Sequence, residues 1–141
     1  SAICTSFKQE ILVGTHNLTA SSGDTFKIAL YTSDASLGAA TTAFSTSNEI
    51  SNTSGSAYSS GGATLTSVTP TTSGTTAICD FADVSFTSAS FTANGALIYN
   101  SSQSNKAVAV IAFGGDKTVS SGTFTIQFPT ADASNAIIRI A

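Results

Sequence analysis

The stretch from Ala93 to Pro129 constrains the fold most strongly, because it holds three apolar runs of strand length in close succession. Turn-forming Asn, Ser, Gly and Asp residues separate the runs, which span 93–100, 106–113 and 122–129. Runs of this length that are rich in β-branched and aromatic residues are typical of consecutive antiparallel strands. The stretch therefore predicts a three-stranded meander, with a chain reversal at the Gly-Gly-Asp-Lys segment 114–117.

Two of these runs differ in their alternation. In the last run, Phe124, Ile126 and Phe128 alternate with Thr and Gln residues, which predicts one buried face and one wet face. The run 106–113 is apolar on both faces, as expected for a strand that is covered on both sides. We expect this second strand to lie at the centre of the sheet.

The rest of the chain adds further short strands to the meander. They are predicted at 25–32, 63–68, 75–81, 84–86, 90–92 and 136–141, with a turn at 69–74 and a bulge around 81–83. Nine or ten short strands with frequent turn signals favour an all-β, antiparallel β-sandwich or jelly roll. The length of 141 residues fits a single domain over residues 1–141.

The N-terminal region predicts the only helix. Residues 6–13 have helical spacing of apolar side chains, and Ser6 and Gln9 have the form of a capping box. Gly14 follows as a C-terminal cap. We therefore expect a short helix at 6–13, preceded by an arm or a short strand at residues 1–5.

The charge composition excludes several classes of partner. Charged residues make up only 9% of the chain, against about 25% in ordinary soluble domains, while Ser and Thr together make up about a third. A surface covered by hydroxyl groups favours a protein that is exposed on a particle or occupied by neighbours. The five basic residues are scattered singly, which predicts no nucleic-acid binding, and no apolar run is long enough for a membrane span.

The sequence contains few groups that could carry catalysis. Cys4 and Cys79 predict either two buried thiols or one disulfide, and a lone His16 predicts a surface or capping residue. Asp80 and Asp83 are the one close carboxylate pair, which favours turn and capping roles, with Ca²⁺ binding as the lesser alternative. No nucleophile elbow or Walker spacing is present. We expect no enzymatic activity, no catalytic residues, no cofactor and no metal.

Several segments resemble small virion proteins of tailed phages and prophages. The segments include Phe7-Lys-Gln-Glu-Ile-Leu, Asp24-Thr-Phe-Lys-Ile-Ala-Leu-Tyr, Gly95-Ala-Leu-Ile-Tyr-Asn and Phe124-Thr-Ile-Gln-Phe-Pro, and the resemblance covers almost the whole chain. It implies a capsid decoration (cement) protein, a β-sandwich that binds the major capsid protein as a homotrimer over the local threefold axes. It also implies a place on the outer capsid surface of the virion, after assembly in the host cytoplasm. No set of functional residues is tied to these motifs.

On this basis, the N-terminal arm and the Gly- and Ser-rich loop 45–62 are predicted to contact the shell or a sister subunit. Tyr58 in that loop is either a packing anchor or an exposed contact residue. The predicted contact residues are Ser1, Ala2, Ile3, Cys4, Thr5, Phe44 and Tyr58.

Two other interpretations stay open. One is a tail or fibre component that contacts the host surface, in which Phe44 and Tyr58 would bind carbohydrate. The other is a secreted carbohydrate-binding module or adhesin.

Overall fold

A long hairpin dominates the computed structural model, which describes residues 1–52 and 57–141. Strands β6 and β7 form this hairpin, and one helix, α1, lies near the N-terminus. The elements in chain order are β1 (Ala2–Ile3), α1 (Thr5–Leu12), β2 (Phe26–Tyr31), β3 (Ala63–Thr64), β4 (Ser67–Ser73), β5 (Thr76–Phe81), β6 (Val84–Asn100), β7 (Lys106–Ile126) and β8 (Ile138–Ile140).

The strands form two antiparallel sheets. The larger has the order β1-β7-β6-β2-β3, and the smaller has the order β4-β5-β8. The core combines apolar side chains from both sheets, and the rings of Phe26 in β2 and Phe81 in β5 lie 6.0 Å apart. The prediction of an all-β, antiparallel sandwich with one short N-terminal helix is confirmed.

The predicted meander is wrong in its connections, because β7 continues through the expected turn at 114–117. Ala93 pairs with Lys117 and Gly95 pairs with Ala112, so residues 113–116 bulge from β7 opposite Asn94 alone. The glycines in this segment adopt positive φ angles, which serve a bulge as well as a turn. The strands expected at 84–86 and 90–92 are both part of β6, and two register shifts in its pairing with β7 lie between residues 86 and 91.

Other strand predictions differ from the structure in position. The expected central strand, β7, is second from the edge, and β6 lies at the centre. Residues 107–110 of β7 are nevertheless all buried, as predicted for a strand that is covered on both faces. The expected strand 63–68 is divided between the two sheets, and the expected turn 69–74 belongs to β4 up to Ser73. Strands β2, β5 and β8 lie within their predicted ranges.

Helix α1 begins one residue earlier than predicted and uses no capping box. Cys4 is the N-cap residue and makes no side-chain capping bond, and the buried Ser6 Oγ has no hydrogen-bond partner among the described residues. Gly14 is confirmed as a C-terminal cap, with a φ of 76° and an N–H that donates to Ile11 O at 3.1 Å. Residues 2–3 form a strand that pairs with β7, so of the two alternatives the short strand is observed.

The two cysteines are free thiols. Cys4 is buried and Cys79 is half-buried, and burial raises the pKa of both. The structure therefore favours two thiols over a disulfide.

Candidate docking surface

Two of the predicted contact residues lie inside the protein. Cys4 is fully buried at the start of α1. Tyr58 is also buried, and its hydroxyl accepts a hydrogen bond from Leu30 N–H at 2.9 Å and donates one to Glu49 Oε2 at 2.6 Å. Of the two roles considered for Tyr58, the packing anchor is the one that its burial supports. Neither side chain is available to a partner in this conformation.

Hydrogen bonds to Glu49 stabilise the described part of the 45–62 loop. We call the residues involved the Glu49 cluster: Glu49, Tyr58, Ser60 and Gly61. The Glu49 carboxylate accepts hydrogen bonds from the Tyr58 hydroxyl, from Ser60 Oγ at 2.8 Å and from Gly61 N–H at 2.7 Å. Burial, together with the bond to Glu49, raises the pKa of Tyr58. Contacts within the chain therefore hold residues 58–61, while residues 53–56 of the predicted contact loop lie outside the described residues.

Phe44 and Thr5 have different surroundings. The Phe44 ring is half-buried and stacks on Tyr99 with 4.6 Å between ring centroids. Thr5 is exposed at the first turn of α1. Their contact with a partner stays a prediction.

The prediction that His16 lies at the surface is wrong, although its hydrogen-bonding role is observed. The side chain has no exposed area, and its ring lies 4.8 Å from the Phe7 ring, measured between centroids. His16 Nε2 lies 3.0 Å from Glu10 Oε1, and Nδ1 lies 2.9 Å from Asn100 Nδ2. Both ring nitrogens are therefore occupied, which leaves neither to activate a nucleophile.

Asn100 joins His16 to Asp24 in a group that we call the His16 network (Glu10, His16, Asp24 and Asn100). Its amide nitrogen donates to His16 Nδ1 and to Asp24 Oδ2 at 2.8 Å, and its carbonyl oxygen accepts from Ser102 N–H at 3.0 Å. Because Nδ1 accepts, the imidazole proton lies on Nε2 and is donated to Glu10. Burial raises the pKa of Asp24, but hydrogen bonds from Asn100 and Asn17 outweigh it and hold that pKa below its usual value.

The Asp80 and Asp83 carboxylates have different surroundings, and Asp80 Oδ1 is buried with no hydrogen-bond partner among the described residues. Asp83 Oδ1 accepts a hydrogen bond at 2.8 Å from the N–H of Phe128, 45 residues later in the chain, so it joins two distant segments instead of capping a local turn. Among the described residues, no group of three or more His, Cys, Asp or Glu side chains is arranged to hold a metal ion.

A continuous apolar surface runs along β1 and past α1 and β8. It consists of three adjoining depressions with volumes of about 620, 210 and 330 Å³. Ser1 and Ile137 line both the first and the second depression, and Ile3 lines both the second and the third. We call this surface the apolar strip, and its main apolar side chains are Ala2, Ile3, Ile11, Leu12, Val110, Ile111, Phe113, Phe124, Ile126, Phe128, Ile137, Ile138 and Ile140.

The apolar strip holds two of the most exposed large hydrophobic side chains, Leu12 and Ile140. In the described part of the chain the others of this kind are Val13 and Val68, which do not line the strip. Leu12 is 85% exposed and Ile140 is 54% exposed, and both line the third depression, while Val13 follows Leu12 directly. A contiguous exposed apolar surface is a candidate interaction site.

Three predicted contact residues, Ser1, Ala2 and Ile3, lie on the apolar strip. The sequence analysis missed Leu12 and Ile140. An available signal was the Leu12-Val13 pair, which extends beyond the helical face formed by Phe7 and Ile11.

Comparisons with models of protein families, with curated proteins and with solved structures find no match to this chain. In residues 1–52 and 57–141, no helix has the length and apolar character needed to cross a membrane.

Proposed function

We propose that this chain is a non-enzymatic structural protein of a virion, a capsid decoration protein that binds the shell of the major capsid protein and stabilises it as a homotrimer. The observation that carries the proposal is the apolar strip, which leaves large apolar side chains exposed beside a folded core. The resemblance of the sequence to small virion proteins of tailed phages supports the same role.

Burial of the apolar strip supplies the free energy for docking. Complete burial of a Leu, Val or Ile side chain contributes about 1.5–3 kcal/mol. Leu12 and Ile140 of the strip retain most of this contribution for a partner, because more than half of each residue is exposed. A protein that binds only the assembled shell stabilises that shell by mass action.

The rigidity of the sandwich suits this role. The strip rests on β7, which pairs with β6 over most of its length, and on β1, which pairs with β7. A preorganised surface loses little conformational entropy on binding, so more of the gain from burial appears as affinity.

The homotrimer requires each copy to present two different patches to its neighbours, since a closed threefold ring is a heterologous assembly. Light scattering coupled to size-exclusion chromatography measures the mass of the purified protein and tests this part of the proposal. A mass three times the 14.1 kDa of the chain is expected.

The number of copies per purified virion tests the function directly. Quantitative mass spectrometry, with the major capsid protein as the internal reference, should find copies comparable in number to the shell protein. A few copies per particle would place the protein in the tail, and its absence from virions would overturn the proposal.

A further inference from the structure

The apolar strip has a charge that opposes that of the whole protein. The chain has a net charge of −3. Three of its five basic residues, Lys8, Lys117 and Arg139, line the strip, and none of its acidic residues does so within the described part of the chain. The positive charge on this surface predicts an acidic partner.

The third depression has two positive charges, on Lys8 and Arg139, and their hydrogen bonding differs. The Arg139 guanidinium donates through Nη1 to Ser134 O at 2.6 Å and to Ala133 O at 3.3 Å. These carbonyl groups orient the guanidinium without neutralising it. Lys8 is exposed on α1. Hydrogen bonds from Asn135 and from Ser134 N–H lower the pKa of Asp132, and the nearby charge of Arg139 lowers it further. Asp132 therefore interacts with Arg139, but it does not line the depression.

A free sheet edge borders the same depression. Among the described residues, strand β8 lies at the end of the three-stranded sheet and is paired on one side, with β5. Ile138 and Ile140 share one face of β8 and line the third depression together with Ile11 and Leu12. An extended segment paired with β8 would place every second side chain into this depression.

We propose that the third depression of the apolar strip binds an extended, acidic segment of a protein partner, which adds as a strand to the free edge of β8. Its alternate apolar side chains contact Ile11, Leu12 and Ile140, and its carboxylates face Lys8 and Arg139. The inference deepens and rests on the proposed function, since it gives the chemistry of the shell segment that the strip receives.

A second copy of this chain fits the third depression less well than an acidic segment. Pairing two β8 strands about a twofold axis would bring Lys8 and Arg139 of both copies to one interface. Like charges brought together in this way oppose binding.

Two labelled peptides test the inference with the intact protein. One is an eight-residue peptide that alternates valine with glutamate, and the other has lysine in place of glutamate. Fluorescence anisotropy should show the glutamate peptide binding about tenfold more tightly, with a preference that shrinks in about 0.5 M salt. Hydrogen–deuterium exchange should slow at residues 138–140 when the glutamate peptide binds.

Charge variants assign the preference to this depression. The Lys8→Glu change and the double change Lys8→Glu with Arg139→Glu should reduce or reverse the preference, and the single change preserves the hydrogen bonds of Arg139. Lys27→Glu, which changes the same charge outside the strip, should leave the preference intact.

Equal binding of the two peptides, no binding of the glutamate peptide, or an unchanged preference in Lys8→Glu would overturn the inference. Binding without protection of β8 would also overturn it. These results are independent of the virion copy number. Absence from virions together with a clear glutamate preference would refute the proposed function alone.

Discussion

Two regions at the edge of the core differ in how their side chains are paired: the region around Asn100 and Glu49, and the region along β1. In the first region, buried and partly buried polar side chains pair with one another, as in the His16 network and the Glu49 cluster. In the second region, the apolar strip leaves Leu12 and Ile140 uncovered. The first region closes the core within the chain, whereas the second exposes apolar area that a partner can bury.

The two regions should contribute to different quantities, the first to the stability of the fold and the second to the binding of a partner. A buried polar group that loses its partner costs free energy of unfolding, because no water replaces the lost hydrogen bond. An exposed apolar side chain contributes little to folding and gains most of its burial only in a complex. Substitutions in the region around Asn100 and Glu49 should therefore lower the free energy of unfolding, and substitutions on the apolar strip should lower the affinity for a partner.

The largest effect is expected for Gly62→Ala, next to the Glu49 cluster. Gly62 has a φ of 80°, and a Cβ atom there would lie 1.8 Å from the backbone oxygen of Ile28. Because β2 would have to move, we expect a loss of roughly 4 kcal/mol or more in the free energy of unfolding. Urea denaturation followed by circular dichroism measures it.

Gly114→Ala is the matched control, since Gly114 has a φ of 77° and no atom within 4 Å of the added Cβ. It should cost only about 1–2 kcal/mol, from the left-handed conformation itself. Equal losses of stability in the two variants would show that the close approach of Gly62 to β2 does not require glycine at this position.

Asn100→Ala should have the next largest effect. The change removes donors to His16 Nδ1 and Asp24 Oδ2 and an acceptor for Ser102 N–H, all at a fully buried position. We expect a loss of about 2–4 kcal/mol in urea denaturation.

Asn94→Ala provides the comparison for Asn100, since Asn94 donates to Asp116 Oδ1 at an exposed site. Its loss should be about 0.5 kcal/mol. Similar losses for both variants would mean that the His16 network contributes no more than a surface hydrogen bond.

A smaller, pH-dependent effect is expected from Asp24. Its pKa is lower in the folded protein than in the unfolded chain, so its contribution to stability is present above the ordinary carboxyl pKa of about 4. That contribution is lost as the pH falls through the folded pKa. The Asp24→Asn variant should therefore lose less stability than wild type when chemical denaturation is repeated at decreasing pH below about 5. The same decline in both proteins would contradict this assignment.

The smallest effect on folding is expected for Leu12→Ser combined with Ile140→Ser. Both side chains are mostly exposed, so the free energy of unfolding should change by about 1 kcal/mol or less. Val68→Ser is the matched control, because Val68 is 46% exposed and lies in β4, outside the strip. A large loss of stability in the double variant would show that these residues support the core.

Local patterns in the sequence predicted the strands better than their connections. The alternation of Phe124, Ile126 and Phe128 is observed, because side-chain period alone determines which residues share a face of a strand. Positive φ angles were predicted correctly at Gly114 and Gly115. Such angles occur both in turns and in bulges, so they do not show which of the two is formed. Only pairing with β6 distinguishes the two, and this pairing joins residues far apart in the sequence.

The candidate site was predictable in part for the same reason. The expectation of an N-terminal contact region selected Ala2 and Ile3, which lie on the apolar strip. The hydrogen bond at His16 Nδ1 comes from Asn100, which is 84 residues away, and Ile140 lines the third depression together with Leu12 of α1. Neither relation has a local signal in the sequence.

The most direct test of the central claim starts from purified shells that lack this protein. Each purified variant is incubated with these shells, and the number of bound copies per shell is measured. Wild type and Val68→Ser should saturate the shell with equal affinity, and the double variant Leu12→Ser with Ile140→Ser should bind about tenfold or more weakly. Equal binding by the double variant would contradict the claim that the apolar strip is the docking surface.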